Sequence, residues 1–243
     1  MFKKIVFVLI LFAAENIFPQ SRLEISFHLG YSNPLLETRG DNITVDSNEL
    51  AFIDGKRLLV SDNLATKAGY NVNAFLKYSF AKNGLIKGLF SLGYNVLFGN
   101  YPEFMGYDPG IRIQTFSTGI GAEINPMGHK KAFYPSAYGL FRLNFVGGET
   151  YLKAGLDFLK VTSRYGYLAG INLNFNIKKN IGIYIGYSYS YDNPINRQTV
   201  ETYEPDPLGH VIPFRDKASS TNGLVADRRI AYWSLYLGMN FFL

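Results

Sequence analysis

Side-chain alternation predicts an all-β chain: a closed, up-and-down antiparallel barrel that crosses a membrane with its strands. Three observations carry this. Residues 181–191 read IGIYIGYSYSY, with Ile181, Ile183, Ile185, Tyr187, Tyr189 and Tyr191 on one face and Gly182, Gly186, Ser188 and Ser190 on the other. The polar face in such segments is amide, hydroxyl and glycine, where a soluble sheet would carry Lys, Glu and Thr toward water. And 39 of the 243 residues are aromatic (20 Phe, 18 Tyr, 1 Trp) while only 18% are charged, too apolar for a disordered chain and unusual for a cytosolic enzyme.

The chain opens with MFKKIVFVLILFAAENIFPQ, in which Lys3 and Lys4 precede an apolar run from Ile5 to Ala14. This has the form of a secretory signal peptide, and cleavage is expected near Gln20 or Ser21. The run is about half of the ~20 apolar residues a spanning helix needs. The expected division is therefore residues 1–20 as signal and 21–243 as one barrel domain. No later stretch holds 18 consecutive apolar residues, so strands must make any crossing. The chain contains no cysteine, which excludes disulfides, thiolate metal sites and cysteine catalysis.

The alternating pattern gives eight strands: 22–31, 67–80, 87–99, 111–124, 134–145, 165–177, 181–191 and 230–243. Each reaches the ~9–11 residues that a tilted strand needs to cross the hydrocarbon. Short turns at 81–86, 125–133 and 178–180 alternate with longer connections at 32–66, 100–110, 146–164 and 192–229, as an even-stranded barrel with both termini on one side requires. The segment TYLKAGLDFLKV (150–161) lies inside the third long connection and is read as a strand extension or a lid. Ten strands, using ELAFI and RLLV in the first connection, is the competing parse.

The last strand alternates through Trp233, Leu235, Leu237, Met239, Phe241 and Leu243 to the end of the sequence. This resembles the C-terminal signature by which outer-membrane barrels are recognised by their assembly machinery, although Leu243 stands where that family usually carries Phe. Together with YLAGINLNFNIKKNIGIYIGYSYSY, it resembles the end of small eight-stranded outer-membrane β-barrel domain proteins of the OmpA transmembrane-domain or OmpX type. The resemblance implies a Gram-negative-type outer membrane, with lipid bilayer and lipopolysaccharide around the barrel and the barrel assembly machinery as a partner. It also implies a non-enzymatic structural or surface-interaction role, adhesin-like, through the long external loops toward a surface ligand or host protein. A narrow porin-like channel for small solutes is the alternative class. A hydrolase or lipid A-modifying enzyme is the third.

On this register the lumen receives Glu24, His28, Lys77, Glu123 and Arg142, among Asn71, Asn73, Asn95, Asn144, Asn172, Asn174 and Tyr184. Buried charge is tolerated only when paired, so a closed network is expected. The channel alternative makes Glu24, Lys77, Glu123 and Arg142 its constriction.

Outside the lumen the chemical signals are weak. Asp206, His210 and Asp216 share the last long connection, but no G-x-S-x-G elbow accompanies them, and no catalytic residue is assigned. His129 reads as a solvated turn residue. The acidic residues Asp41, Asp46, Glu49, Asp54 and Asp62 do not match a calcium-binding loop; no metal or cofactor is expected. Arg39, Gly40 and Asp41 form a tripeptide resembling an integrin-recognition motif, a three-residue pointer to adhesion. The net charge of +5 gathers in the turns at Lys82, Lys130, Lys131, Lys178 and Lys179 without an aromatic groove, so no nucleic-acid partner is expected.

Overall fold

The computed structural model describes residues 22–39, 66–80, 83–100, 110–128, 131–152, 155–196, 211–213, 216–219, 225–227 and 229–243. The signal segment 1–20, the ELAFI and RLLV stretches, Gly40, Asp41, His129, Asp206 and His210 lie outside the described residues.

Among the described residues eleven strands follow one another: β1 (Leu23–Leu35), β2 (Thr66–Ser79), β3 (Ile86–Asn100), β4 (Gly110–Ile124), β5 (Phe133–Leu152), β6 (Gly155–Lys178), β7 (Ile181–Ile195), β8 (Val211–Pro213), β9 (Lys217–Ser219), β10 (Val225–Asp227) and β11 (Ala231–Phe242). The eight long ones, β1 to β7 and β11, form the barrel. Each pairs antiparallel with the next, β7 pairs with β11, and β11 closes on β1. β1 pairs directly with β2 from Leu23↔Tyr78 to Ser32↔Gly69, which fixes the strand number at eight rather than ten. Closure leaves no unpaired edge among these strands, the condition for β structure in lipid.

The third long connection is largely strand. β5 runs for 20 residues and β6 for 24, carrying their hairpin beyond the ends of the neighbouring strands, so segment 150–161 is a strand extension. A register shift falls between Val146 and Gly148, where Lys160 and Val161 together oppose Gly147, a bulge that re-aims the upper part of the hairpin. β8 adds to this extension in parallel, Phe158↔Val211 to Lys160↔Pro213, and β9 and β10 form a separate small hairpin.

The opposite end is finished by tight turns. The Asn125 side chain donates to the Gly84 carbonyl (2.7 Å), Asn125 N donates to the Leu85 carbonyl (2.8 Å) and Gly128 N to the Asn125 carbonyl (2.9 Å). The first two bonds tie the β2–β3 turn to the β4–β5 turn, and the third closes the β4–β5 turn on itself. Gly128 has φ +71°, a left-handed conformation that a side chain would strain. This is the turn end; the other is the loop end.

The outer surface is apolar around the barrel. Leu29, Val72, Leu92, Ile120, Ile171, Ile185 and Leu237 all point outward and are exposed. Such a continuous apolar belt is untenable in water and requires lipid. Toward the loop end, rings cluster: Tyr31 lies 6.3 Å from Trp233, Trp233 stacks on Tyr187 at 5.9 Å, and Tyr167 meets Tyr191 at 5.6 Å. Amphipathic rings at that height form an interfacial girdle.

Candidate functional site

The interior is the site that the fold constructs, and it is layered. Near the turn end stands a ring of four charges. Glu24 faces Lys77 across β1 and β2, and Lys87 faces Glu123 across β3 and β4. Lys77 Nζ lies 2.9 Å from Glu24 Oε1 and 3.0 Å from Glu123 Oε2; Lys87 Nζ lies 2.5 Å from Glu24 Oε2 and 3.5 Å from Glu123 Oε1. Each ammonium thus touches both carboxylates, the four charges sum to zero, and all four side chains are at most 3% exposed. The Ser26 hydroxyl donates to Glu24 at 3.0 Å.

Above the ring comes an aromatic and aliphatic belt of Phe75, Leu89, Tyr138, Leu140, Leu168, Tyr184 and Tyr236. Three of its tyrosines are seated by glycines. Tyr138 pairs across the ladder with Gly170, Tyr236 with Gly186 and Tyr184 with Gly238. A Cβ at any of these glycines would run into the facing ring, so the glycine supplies the space in which the ring lies flat across the lumen. Tyr138 and Tyr236 share a hydroxyl hydrogen bond of 2.9 Å, and the Tyr236 hydroxyl donates to Asn172 Oδ1 at 2.7 Å. His28 stacks on Tyr236 with centroids 3.9 Å apart; its Nε2 is 2.8 Å from Asn73 Nδ2 and its Nδ1 3.3 Å from the Tyr184 hydroxyl. Between ring and belt, a cavity bordered by His28, Lys77, Glu123 and Tyr138 encloses about 10 Å³, room for roughly one water.

A second polar layer follows. Asn71 donates to Ser32 (2.9 Å), and Ser32 donates to Asn95 (2.7 Å) and contacts Ser234 (3.0 Å). Arg142 belongs to this level: it donates to Ser117 and Ser190 and lies 3.8 Å from Asp192. Near the loop end an apolar layer of Leu97, Ile111, Ile113, Val146, Leu159, Ile230 and Tyr232 fills the section. In the same region Arg164 pairs with Asp216.

Every lumen residue named from the sequence is buried: Glu24, His28, Lys77, Glu123 and Arg142, with the asparagines and Tyr184. Three of the charged ones come together, while Arg142 stands apart with Asp192. The fourth member of the ring is Lys87, which sequence reasoning missed. Its signal was parity, since Lys87 shares a face with Leu89, Ser91 and Asn95, all buried. Asp192 and Arg164 carry the same signal on β7 and β6, continuing the inward rows of Ser188, Ser190 and of Gly166, Leu168. Apolar layers inside the lumen were also not foreseen, because apolar faces were assigned to lipid. Asp216, one corner of the conceivable hydrolase, is committed to Arg164. Arg39 is exposed, its backbone N–H donating to the Leu36 carbonyl at 3.1 Å. Among the described residues no three His, Asp or Glu side chains converge as a metal centre.

The apolar exterior, the closed sheet and the packed interior define an eight-stranded transmembrane β-barrel with a filled lumen. No protein-family model and no curated protein sequence matches the chain. Among solved structures it is similar to Neisserial surface protein A (TM-score 0.47, 12% identity, 92% of this chain and 98% of that one). It is likewise similar to the outer membrane protein OprG from Pseudomonas aeruginosa (0.45, 11%, 93% and 99%). A third is Ail, the attachment invasion locus protein of Yersinia pestis, in complex with the heparin analogue sucrose octasulfate (0.40, 16%, 90% and 99%). At these identities the likeness is one of fold alone.

Proposed function

We propose that this chain is an integral outer-membrane protein of a Gram-negative-type bacterium. It is exported by residues 1–20 as a cleaved signal and inserted by the barrel assembly machinery, and it acts without catalysis as a structural or surface-interaction protein. The observation that carries this reading is the filled lumen. A ring of four mutually neutralising charges, a tyrosine belt seated on glycines and an apolar layer follow one another along the axis, and the cavity between the first two is water-sized. Eight-stranded barrels have an interior only wide enough for side chains, and here side chains occupy it. Glu24, His28, Lys77, Glu123 and Arg142 then serve the barrel's integrity rather than transport.

With the interior committed to packing, interaction falls to the connections at the loop end, above all residues 40–65 and 197–224. Such connections vary without cost to the scaffold. Lipopolysaccharide and bilayer lipid surround the belt; a surface ligand or host protein is the partner class for the loops, with Arg39, Gly40 and Asp41 a minor candidate contact.

The test is conductance of the purified protein in planar lipid bilayers. The expected result is a baseline without unitary steps, in the wild type and in Arg142→Ala alike. Sustained unitary currents whose size changes in Arg142→Ala would make the chain a narrow channel instead.

A further inference from the structure

We infer that the turn end of the barrel carries a headgroup-binding arc, in which Arg22, Lys131, Lys178 and Lys179 hold the phosphates of anionic phospholipids in the surrounding leaflet. The inference rests on the membrane reading above and adds a ligand class at one end of the belt. Charge at this end is one-sided. The turns at 81–86, 125–133 and 178–180 hold five lysines and no Asp or Glu. Arg22, Lys178 and Lys179 are exposed and Lys131 is half-buried. Glu24 and Glu123, the acidic residues nearest this end among the described residues, are buried and committed to the ring.

Hydrogen bonds join these cations into one arc. The Asn176 side chain of β6 donates to the Lys131 carbonyl (2.7 Å), and its backbone N–H donates to the Ala132 carbonyl (2.8 Å). Phe242 N donates to the Asn180 carbonyl and Leu243 N to the Leu23 carbonyl, both at 3.0 Å. The arc therefore follows the ends of β5, β6, β7, β11 and β1, from Lys131 through Lys178 and Lys179 to Arg22.

Its height is set by the apolar belt. Lys178 and Lys179 follow directly on Ile177, which points outward and is 56% exposed. Lys131 stands just before Phe133, whose ring meets that of Phe175 at 5.1 Å. The Arg22 carbonyl accepts from the Ser79 N–H (2.8 Å), between Tyr78 and Phe80, whose rings lie 5.9 Å apart. These rings make a second girdle at the turn end. At about 3.3 Å per residue, a cation one or two positions past the belt lies at headgroup depth. Lys and Arg stems can rest on the belt while their charged ends reach the phosphates, and cations at that depth attract anionic lipid. Continuity with the belt is what favours a lipid over a water-soluble acidic partner.

The test is electron spin resonance of spin-labelled lipids around the purified protein in phosphatidylcholine vesicles, which measures how strongly each lipid associates with the barrel. At low salt, labelled phosphatidylglycerol is expected to associate about three- to fivefold more strongly than labelled phosphatidylcholine. The preference should fall to near parity in the triple variant Arg22→Gln, Lys178→Gln, Lys179→Gln, and in high salt, which screens exposed charges. Arg22→Lys with Lys178→Arg and Lys179→Arg keeps the charge and should keep the preference. Inorganic phosphate should weaken it no more than chloride at equal ionic strength; a selective effect of phosphate would assign the arc to free anions and overturn the lipid site. A heat-dependent gel shift shows which samples hold an inserted barrel. Its absence in the wild type would remove the membrane reading and this inference with it. Equal association of both lipids with an inserted wild type overturns the headgroup arc alone and leaves its cations to a water-soluble acidic partner. An undiminished preference in the inserted triple variant overturns the arc as well.

Discussion

Glu24 and Lys77 face each other on neighbouring strands, as do Lys87 and Glu123, and the two pairs lock into a ring because each ammonium reaches both carboxylates. Such a ring is neutral as a unit and costly in part. Glu24→Gln leaves two buried lysines on a single carboxylate, and the expected loss is about 3–5 kcal/mol of stability. The paired replacement Glu24→Leu with Lys87→Met removes one charge of each sign, so its cost should fall well below the sum of the two single changes. Urea unfolding in lipid vesicles, followed by the fluorescence of Trp233, the only tryptophan, measures Glu24→Gln, the two single replacements Glu24→Leu and Lys87→Met, and their combination; additivity of the last pair would contradict the ring. At this scale the sequence was informative about face and silent about height. Alternation placed Arg142 inside as readily as Lys77. What separates Arg142 into a cluster with Asp192, Ser117 and Ser190 is the stagger of strands around the barrel, a property of the closed sheet that no single strand encodes.

On β11, Trp233 stands in the aromatic girdle and Phe241 lies near the turn end, with Leu237 midway between them and 68% exposed. The depth of a lipid-facing position sets the cost of a charge. Leu237→Arg should therefore cost about 2–4 kcal/mol, and Ser163→Arg, on the outward face of β6 above the girdle, about 0–1 kcal/mol. The same vesicle unfolding assay reads both, and equal costs at the two positions would remove the lipid belt from the account. All eight barrel strands were legible, since lipid on one side and lumen on the other enforce period two. Their upper ends were not. The strands of 165–177 and 181–191 were expected to stop where the outward apolar row ends, yet β6 begins at Gly155 and β7 continues to Ile195. Above the membrane the outward face no longer needs to be apolar, so the signal fades while the hydrogen-bonded ladder persists. Arg164 and Asp192 were missed for this reason.

The whole molecule joins an exterior that only lipid can cover to an interior that its own side chains fill. The first property was written in the composition, in rings and scarce charge. The second needed the closed sheet: Phe75 and Leu97 share the inward parity of Lys77 and Asn95, but only closure brings residues from different strands together as apolar layers. Both properties require one folded state, a barrel seated in a membrane. Gel migration of the membrane fraction with and without boiling measures that state directly. The expected result is a protein in the outer-membrane fraction that runs as a compact band in SDS when unheated and shifts to its unfolded mobility on boiling. A chain recovered as soluble periplasmic material, with no heat-dependent shift, would contradict the account.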